Sequence, residues 1–293
     1  MKRFKKSPNV SLLLFCLPFL ILFLVFFIYP FLNGIWMSFT NSNGFTKVFE
    51  YVGFRNYLEL LKDKRFLEST KNTLLFTVLN VVIGNVLALL LAFVIESGIK
   101  GKNFFRTTFF LPYVFALIVI GFVWKFIFTQ WLPQFAAWSH LSFLNQDFLG
   151  NPKIAIYATI IVQIWYQLGY YMIIYIAGMQ SIDKSLLEAA RIDGAGAIAL
   201  HRRVVLPLLV SSISICLFTG IASSFKAFDS ILSLTGGGPG YATEVLSLNI
   251  YYEAMGDAQR YGYGMAKAII LAGFIFIVTM IQRKICDHLE VEN

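Results

Sequence analysis

Six apolar runs, each long enough to cross a bilayer as a helix, dominate the chain. They cover about 10–39, 72–95, 107–128, 154–179, 204–227 and 265–282. A hydrocarbon core of ~30 Å takes about 20 apolar residues in helical form. The pattern therefore predicts an all-α membrane protein with six transmembrane helices. The first and fourth runs carry no charge, and elsewhere charges sit towards the run ends: Glu96, Lys125, Lys226 and Lys267. The opening Lys2-Arg3-Phe4-Lys5-Lys6 has the charge of a secretion signal. The apolar stretch after it is too long, and no small-residue cleavage site follows, so it is read as a retained first span.

Loop charge orients the spans. With the N-terminus inside, 13 Lys and Arg fall in inner segments and nine in outer ones. Six of those nine lie in one long loop that also holds four acids. The bias places both termini in the cytoplasm, with tails 1–9 and 286–293 flanking a six-helix domain over 10–285. Composition narrows the class. Of the 293 residues 58% are hydrophobic and 14% charged, against about 25% charged in soluble domains. Mean hydropathy is +0.70. Disordered chains, disulfide scaffolds and soluble enzymes are set aside on these figures. Cys16, Cys216 and Cys286 lack metal or disulfide spacing and are read as structural. The net charge of +8 belongs to membrane orientation, so lipid is expected as a partner and nucleic acid is not.

One inner loop, 180–203, is unusually long and polar. Ser181 or Asp183 can cap a helix start. Leu186, Leu187, Ala190 and Ile192 give it a short apolar face. Gly194 and Gly196 allow a tight turn. A second short helix over 198–205 leads to Pro207, tolerated in the first turn of span five. By itself this helix-turn-helix fits either an interfacial connector or a docking surface for a cytoplasmic partner.

The residues Glu188-Ala189-Ala190-Arg191-Ile192-Asp193-Gly194-Ala195, followed by Val204-Val205-Leu206-Pro207, resemble the EAA motif of binding-protein-dependent ABC importer permeases. Further matches cover nearly the whole chain. They include Tyr29-Pro30, Val52-Gly53-Phe54-Arg55-Asn56-Tyr57, Leu111-Pro112 and Leu234-Thr235-Gly236-Gly237-Gly238-Pro239. The chain is similar to the sugar-type, MalF-like subunits. His201 departs from the usual Phe of that family and Ile198 from a common aromatic, changes that bear on docking to the ATPase.

The resemblance implies a type I ABC importer permease in a bacterial or archaeal cell (inner) membrane. Residues 181–207 would form the EAA coupling loop, with Glu188, Ala189, Ala190, Asp193, Gly194 and Ala195 seated on an ABC ATPase. Expected partners are a second permease subunit, an ABC ATPase dimer and an extracellular solute-binding protein. The chain has no G-x-x-x-x-G-K-S/T, so ATP and Mg belong to the partner ATPase and no cofactor is assigned here. Gly236, Gly237 and Gly238 lack that Lys and read as a turn before an outer re-entrant segment.

Polar residues inside spans are costly and usually face a cavity or a partner helix. In span four Gln163, Gln167 and Tyr170 share one helical face. Amides suit sugar hydroxyls, and aromatic rings pack on sugar C–H faces. Span five offers Gly220, Ser223 and Ser224. In the resembled family these two helices line the sugar path. The competing reading is helix packing for Gly and Ser, and contact with the partner permease for Gln. Asn80 and Asn85 read as interhelical hydrogen-bond formers. Lys226 and Asp229 can pair with each other or serve a gate. A short amphipathic helix is expected over 54–64. His140, His201 and His288 are isolated, and neither a catalytic nor a metal constellation is found. The expected activity is ATP-driven import of a sugar or oligosaccharide by alternating access, with the chain a transport subunit and no enzyme. A non-sugar solute such as glycerol phosphate is the alternative. A secondary transporter would usually need an acid within a span centre, which is lacking.

Overall fold

The computed structural model describes residues 8–46, 48–256 and 258–289. The terminal basic cluster Lys2, Arg3, Lys5 and Lys6 and the last four residues lie outside them. In chain order the α-helices are α1 (Pro8–Phe23), α2 (Tyr29–Met37), α3 (Arg55–Leu60), α4 (Lys64–Glu96), α5 (Lys102–Val114), α6 (Leu117–Phe126), α7 (Leu132–Ser139) and α8 (Ala155–Gln180). After these come α9 (Lys184–Ile192), α10 (Ala197–Leu200), α11 (Leu206–Leu208), α12 (Val210–Phe225), α13 (Asp229–Leu234), α14 (Leu246–Met255) and α15 (Tyr261–Leu289). Short π-helical stretches continue α1 into α2, α6 into α7 and α10 into α11. Among the described residues there is no strand, only an isolated bridge between Thr40 and Tyr51. Five helical stretches are long and apolar enough to cross a membrane, and a bent pair makes a sixth.

Four of the expected spans match Leu12–Met37, Lys64–Glu96, Ala155–Gln180 and Tyr261–Leu289. Two differ. The third is expected over 107–128 as one helix, but the chain breaks at Phe115 and Ala116, both extended, and the spanning stretch is Leu117–Ser139. Pro112 in the last turn of α5 has no N–H to give. The Tyr166 hydroxyl lies 3.4 Å from the Tyr113 carbonyl and 3.3 Å from that of Phe115, so the freed acceptors are not abandoned. The fifth is expected over about 204–227, with Pro207 in its first turn. Instead Ile198–Leu208 meets α12 at 68°, with Pro207 just before the bend. The short outer helix covers only Arg55–Leu60, because Asp63 starts α4 by accepting the Phe66 amide at 3.0 Å.

The chain forms two compact units: one up to Lys62 plus Ile250–Ile270, the other Asp63–Asn249 plus Leu271 onward. In the first, the Asn56 amide donates to the carbonyls of Ser38 and Thr40 at 2.8 and 2.9 Å. Lys267 is wholly buried there and reaches Glu253 at 3.0 Å, and Arg260 bridges Glu253 and Glu59. In the second, Ala88, Ala92 and Ile95 of α4 pack on Tyr171, Met172, Tyr175 and Ile176 of α8, with Cys216 of α12. Small residues let the helices approach. At Gly169 an added Cβ would come within 2.0 Å of the Phe109 carbonyl oxygen, so α5 and α8 meet there backbone to backbone.

The glycine turn after α13 leads to Glu244, a buried carboxylate with no counterpart among the expected site residues. Arg65 grips it with two nitrogens, at 2.6 and 2.9 Å, and Ser69 and Asn249 donate at 2.9 and 2.6 Å. The Asn72 amide donates to the Glu244 carbonyl at 3.1 Å, and Thr73 accepts the Leu246 amide at 2.8 Å. Together these bonds tie residues 241–249 to the start of α4. Glu244→Ala would remove the shared acceptor of Arg65, Ser69 and Asn249 and should cost roughly 2–4 kcal/mol. Thermal unfolding in detergent should show a lowered midpoint, with Glu244→Gln intermediate. An unshifted midpoint for Glu244→Ala would remove this cluster from the account of stability.

Candidate functional site

The expected path residues separate into two sets. Gln167, Tyr170 and Ser223 line one cavity of ≈ 120 Å³ with Tyr113, Tyr171 and Thr219. Tyr170 stacks on Tyr113, with centroids 4.5 Å apart and planes 14° from parallel. Gln163, Gly220 and Ser224 are not among the lining residues. Gln163 is buried and accepts from Ser230 of α13 at 3.0 Å. A Cβ on Gly220 would come within 3.1 Å of the Tyr171 hydroxyl, so that position is close-packed.

A hydrogen-bond node joins three helices behind this cavity. Asn80 of α4 donates to Gln167 Oε1 at 3.0 Å and to Ser224 Oγ at 2.8 Å. The Tyr171 hydroxyl also donates to Gln167 Oε1, at 3.0 Å, and Gln167 Nε2 donates to Ser223 at 3.1 Å. Ser224 in turn donates to the Gly220 carbonyl at 2.7 Å. Asn85 forms a second link, accepting from Tyr175 at 2.7 Å. Asn80 and Asn85 are thus interhelical. Sequence reasoning does not single out Tyr113 and Thr219. For Tyr113 the available signal is its place beside Pro112, just before the break at Phe115 and Ala116. Lys226 and Asp229 form no ion pair among the described residues, because α12 ends between them: Lys226 is its C-cap, and Asp229 opens α13.

The inner loop is built as a short capped helix. Asp183 is extended, and its Oδ1 accepts the Ser185 amide at 2.9 Å, starting α9. Ser181 instead donates to the Gly178 carbonyl and finishes α8. At the other end Gly194 has φ +84°, and the amides of Gly194 and Ala195 return to the carbonyls of Arg191 and Ala190, both at 3.0 Å. Glu188, Ala189, Asp193 and Gly194 are exposed, and Ala190 and Ala195 are half-buried. Ile192 and Ile198 are 86% and 84% exposed, so the chain does not cover this apolar surface itself.

Comparison with known proteins gives the family of the chain. The sequence pattern of the family described as "Binding-protein-dependent transport system inner membrane component" matches residues 84–288. The chain belongs to this family. The permease is 37% identical over 279 residues to a probable starch degradation products transport system permease protein, AmyD, of Thermoanaerobacterium thermosulfurigenes, covering 95% of this chain and 94% of that one. It is also 37% identical over 272 residues to the multiple sugar-binding transport system permease protein MsmF of Streptococcus mutans, covering 93% of each. A crystal structure of a bacterial alginate ABC transporter, in complex with an alginate pentasaccharide-bound periplasmic protein, has a chain of the same fold. The TM-score is 0.80 at 24% identity, with 96% of each chain covered. The permease is accordingly a multi-pass membrane transport subunit, not an enzyme.

The Ser185 amide, then its hydroxyl, hold the Asp183 carboxyl below the ordinary aspartate value. A depressed folded-state value means the cap's contribution is present at neutral pH. It is lost as pH falls through that value. Amide exchange across 184–192 should therefore quicken on acidification and in Asp183→Ala at neutral pH. Asp183→Asn, itself a good cap, should keep neutral-pH protection and lose the pH dependence. Protection that is indifferent both to acidification and to Asp183→Ala would contradict the capping role.

Proposed function

We propose that the permease passes a sugar or oligosaccharide delivered by an extracellular binding protein, by alternating access. The cavity lined by Gln167, Tyr170, Tyr113 and Ser223 carries this reading: aromatic faces for C–H surfaces, and an amide and hydroxyls for sugar hydroxyls. None of its described lining residues is Lys or Arg, which favours a neutral solute over glycerol phosphate. Gln163, Gly220 and Ser224 support the same path from behind. The naming of AmyD and MsmF as starch-product and sugar permeases agrees with it.

On this reading the exposed loop 181–207 docks on an ABC ATPase dimer that holds ATP and Mg. Glu188, Ala189, Ala190, Asp193, Gly194 and Ala195 form the seat, and Ile192 and Ile198 supply uncovered apolar surface. The first span, Leu12–Met37, buries none of its apolar window within the chain and is left for lipid or a second permease subunit. Residues 10–285 then act as one permease domain in a bacterial or archaeal cell membrane, with tails 1–9 and 286–293 in the cytoplasm.

Two experiments test the two halves. A tagged chain pulled from its host in mild detergent should bring an ABC ATPase and a second permease. Glu188→Arg should lose the ATPase and retain the permease. Wild type recovering no ATPase, where other importers stay intact, would return the loop to a connector. For the path, Tyr170→Ala should lower sugar uptake in proteoliposomes by about tenfold, as the loss of ~1.4 kcal/mol would. ATPase recovery in the pull-down should not change. Unimpaired uptake would move the path elsewhere.

A further inference from the structure

At the end of α4 and α8 nearest the inner loop, a second cavity of ≈ 470 Å³ opens. Its walls include the apolar Phe93, Met179, Ile182 and Leu200 and the polar Arg191 and His201. Glu96, also at its wall, is engaged by Arg106 and, at 3.3 Å, by Gln180. Two cationic or proton-bearing groups are not engaged in this way. The His201 ring packs on Phe93, centroids 4.5 Å apart, and its Nδ1 is buried with no hydrogen-bond partner among the described residues. Arg191 makes no ion pair among them. A buried polar atom without a partner calls for one.

The surroundings indicate what it is. The cavity sits beside the ends of two spanning helices, α4 and α8, and basic residues at span ends meet lipid headgroups. Segments 96–106 and 180–205 carry seven basic residues (Lys100, Lys102, Arg106, Lys184, Arg191, Arg202 and Arg203) against four acids, Glu96, Asp183, Glu188 and Asp193. Such a balance attracts anionic lipid. The volume falls in the ordinary range for a small-ligand site, mostly apolar with a few convergent polar groups. A phosphate oxygen can accept from both the Arg191 guanidinium and a His201 Nδ1–H. We propose that this cavity holds one anionic phospholipid, its headgroup on Arg191 and His201 and an acyl chain against Phe93, Met179, Ile182 and Leu200. The proposal rests on the membrane placement of the family and not on the sugar path; its cavity shares Ala195 and the loop 181–207 with the proposed ATPase seat.

The test is photolabelling of the full-length permease, with whatever subunits co-purify, in nanodiscs. Phosphatidylglycerol or phosphatidylcholine would carry a diazirine on the acyl chain, and labelled peptides would be mapped. The phosphatidylglycerol probe should label the peptides holding Phe93 and Met179–Ile182. Unlabelled phosphatidylglycerol should compete, and neither phosphatidylcholine nor inorganic phosphate should. In Arg191→Gln and His201→Phe this label should fall by about tenfold or more, as expected for losing a hydrogen bond to a charged group. Label on the exposed first span should stay constant and report intact folding. Equal labelling by the two lipids, label unchanged in both variants, or full competition by inorganic phosphate would each overturn the proposal. The pull-down of the ATPase is a separate readout, so either result can fail alone.

Discussion

A polar side chain inside an apolar span needs a partner within the protein, and Gln167 meets that demand with both ends of its amide. Its oxygen is held by Asn80 of α4 and Tyr171 of α8, and its nitrogen donates to Ser223 of α12. Three helices are joined at one amide. Asn80 and Ser224 are fully buried and an unpaired polar group at membrane depth is costly, so the bonds set the register in which α4, α8 and α12 meet. The same amide lines the cavity proposed for the solute. Solute contact and helix packing thus draw on one set of hydrogen bonds. A group arriving at Gln167 or Ser223 competes with the bonds that hold the helices.

The departures from straight helices obey the same constraint. The break after α5 exposes backbone carbonyls, and it occurs where Tyr166 reaches them and Tyr113 faces the cavity. Irregular backbone at membrane depth is tolerated where protein or a cavity surrounds it. The 68° bend before α12 joins the inner loop to the helix that carries Ser223 and Ser224. On the proposed reading that bend is the connection between coupling loop and solute path.

Much of this is legible in sequence, for identifiable reasons. Long uncharged runs announce spans because the bilayer leaves few alternatives, and α8 agrees within a residue at each end. Local chemistry also reads well: Gly194 takes the positive φ that a tight turn needs, and Asp183 caps α9. Choosing Asp183 over Ser181 requires the structure, because Ser181 is used by the helix before it. Helical periodicity puts Gln163, Gln167 and Tyr170 on one face, but it is blind to what covers a face. Ser230 of α13 takes Gln163, and only the other two line the cavity. Glu244 and Arg65 are 179 residues apart, and no local pattern pairs them. Hydropathy likewise carries the third run straight through Pro112, because a break costs nothing in composition.

The Asn80–Gln167 bond couples α4 to α8, and a double-mutant cycle measures that coupling directly. Unfolding free energies in detergent would be compared for wild type, Asn80→Leu, Gln167→Leu and the double variant. Interhelical hydrogen bonds in membranes typically couple by about 0.6 kcal/mol and reach about 1.7 kcal/mol. A coupling energy within that range is predicted, because Asn80 and Gln167 are both buried, at 0% and 4% exposure. Additivity within about 0.3–0.5 kcal/mol, the scatter of independent sites, would contradict the coupling.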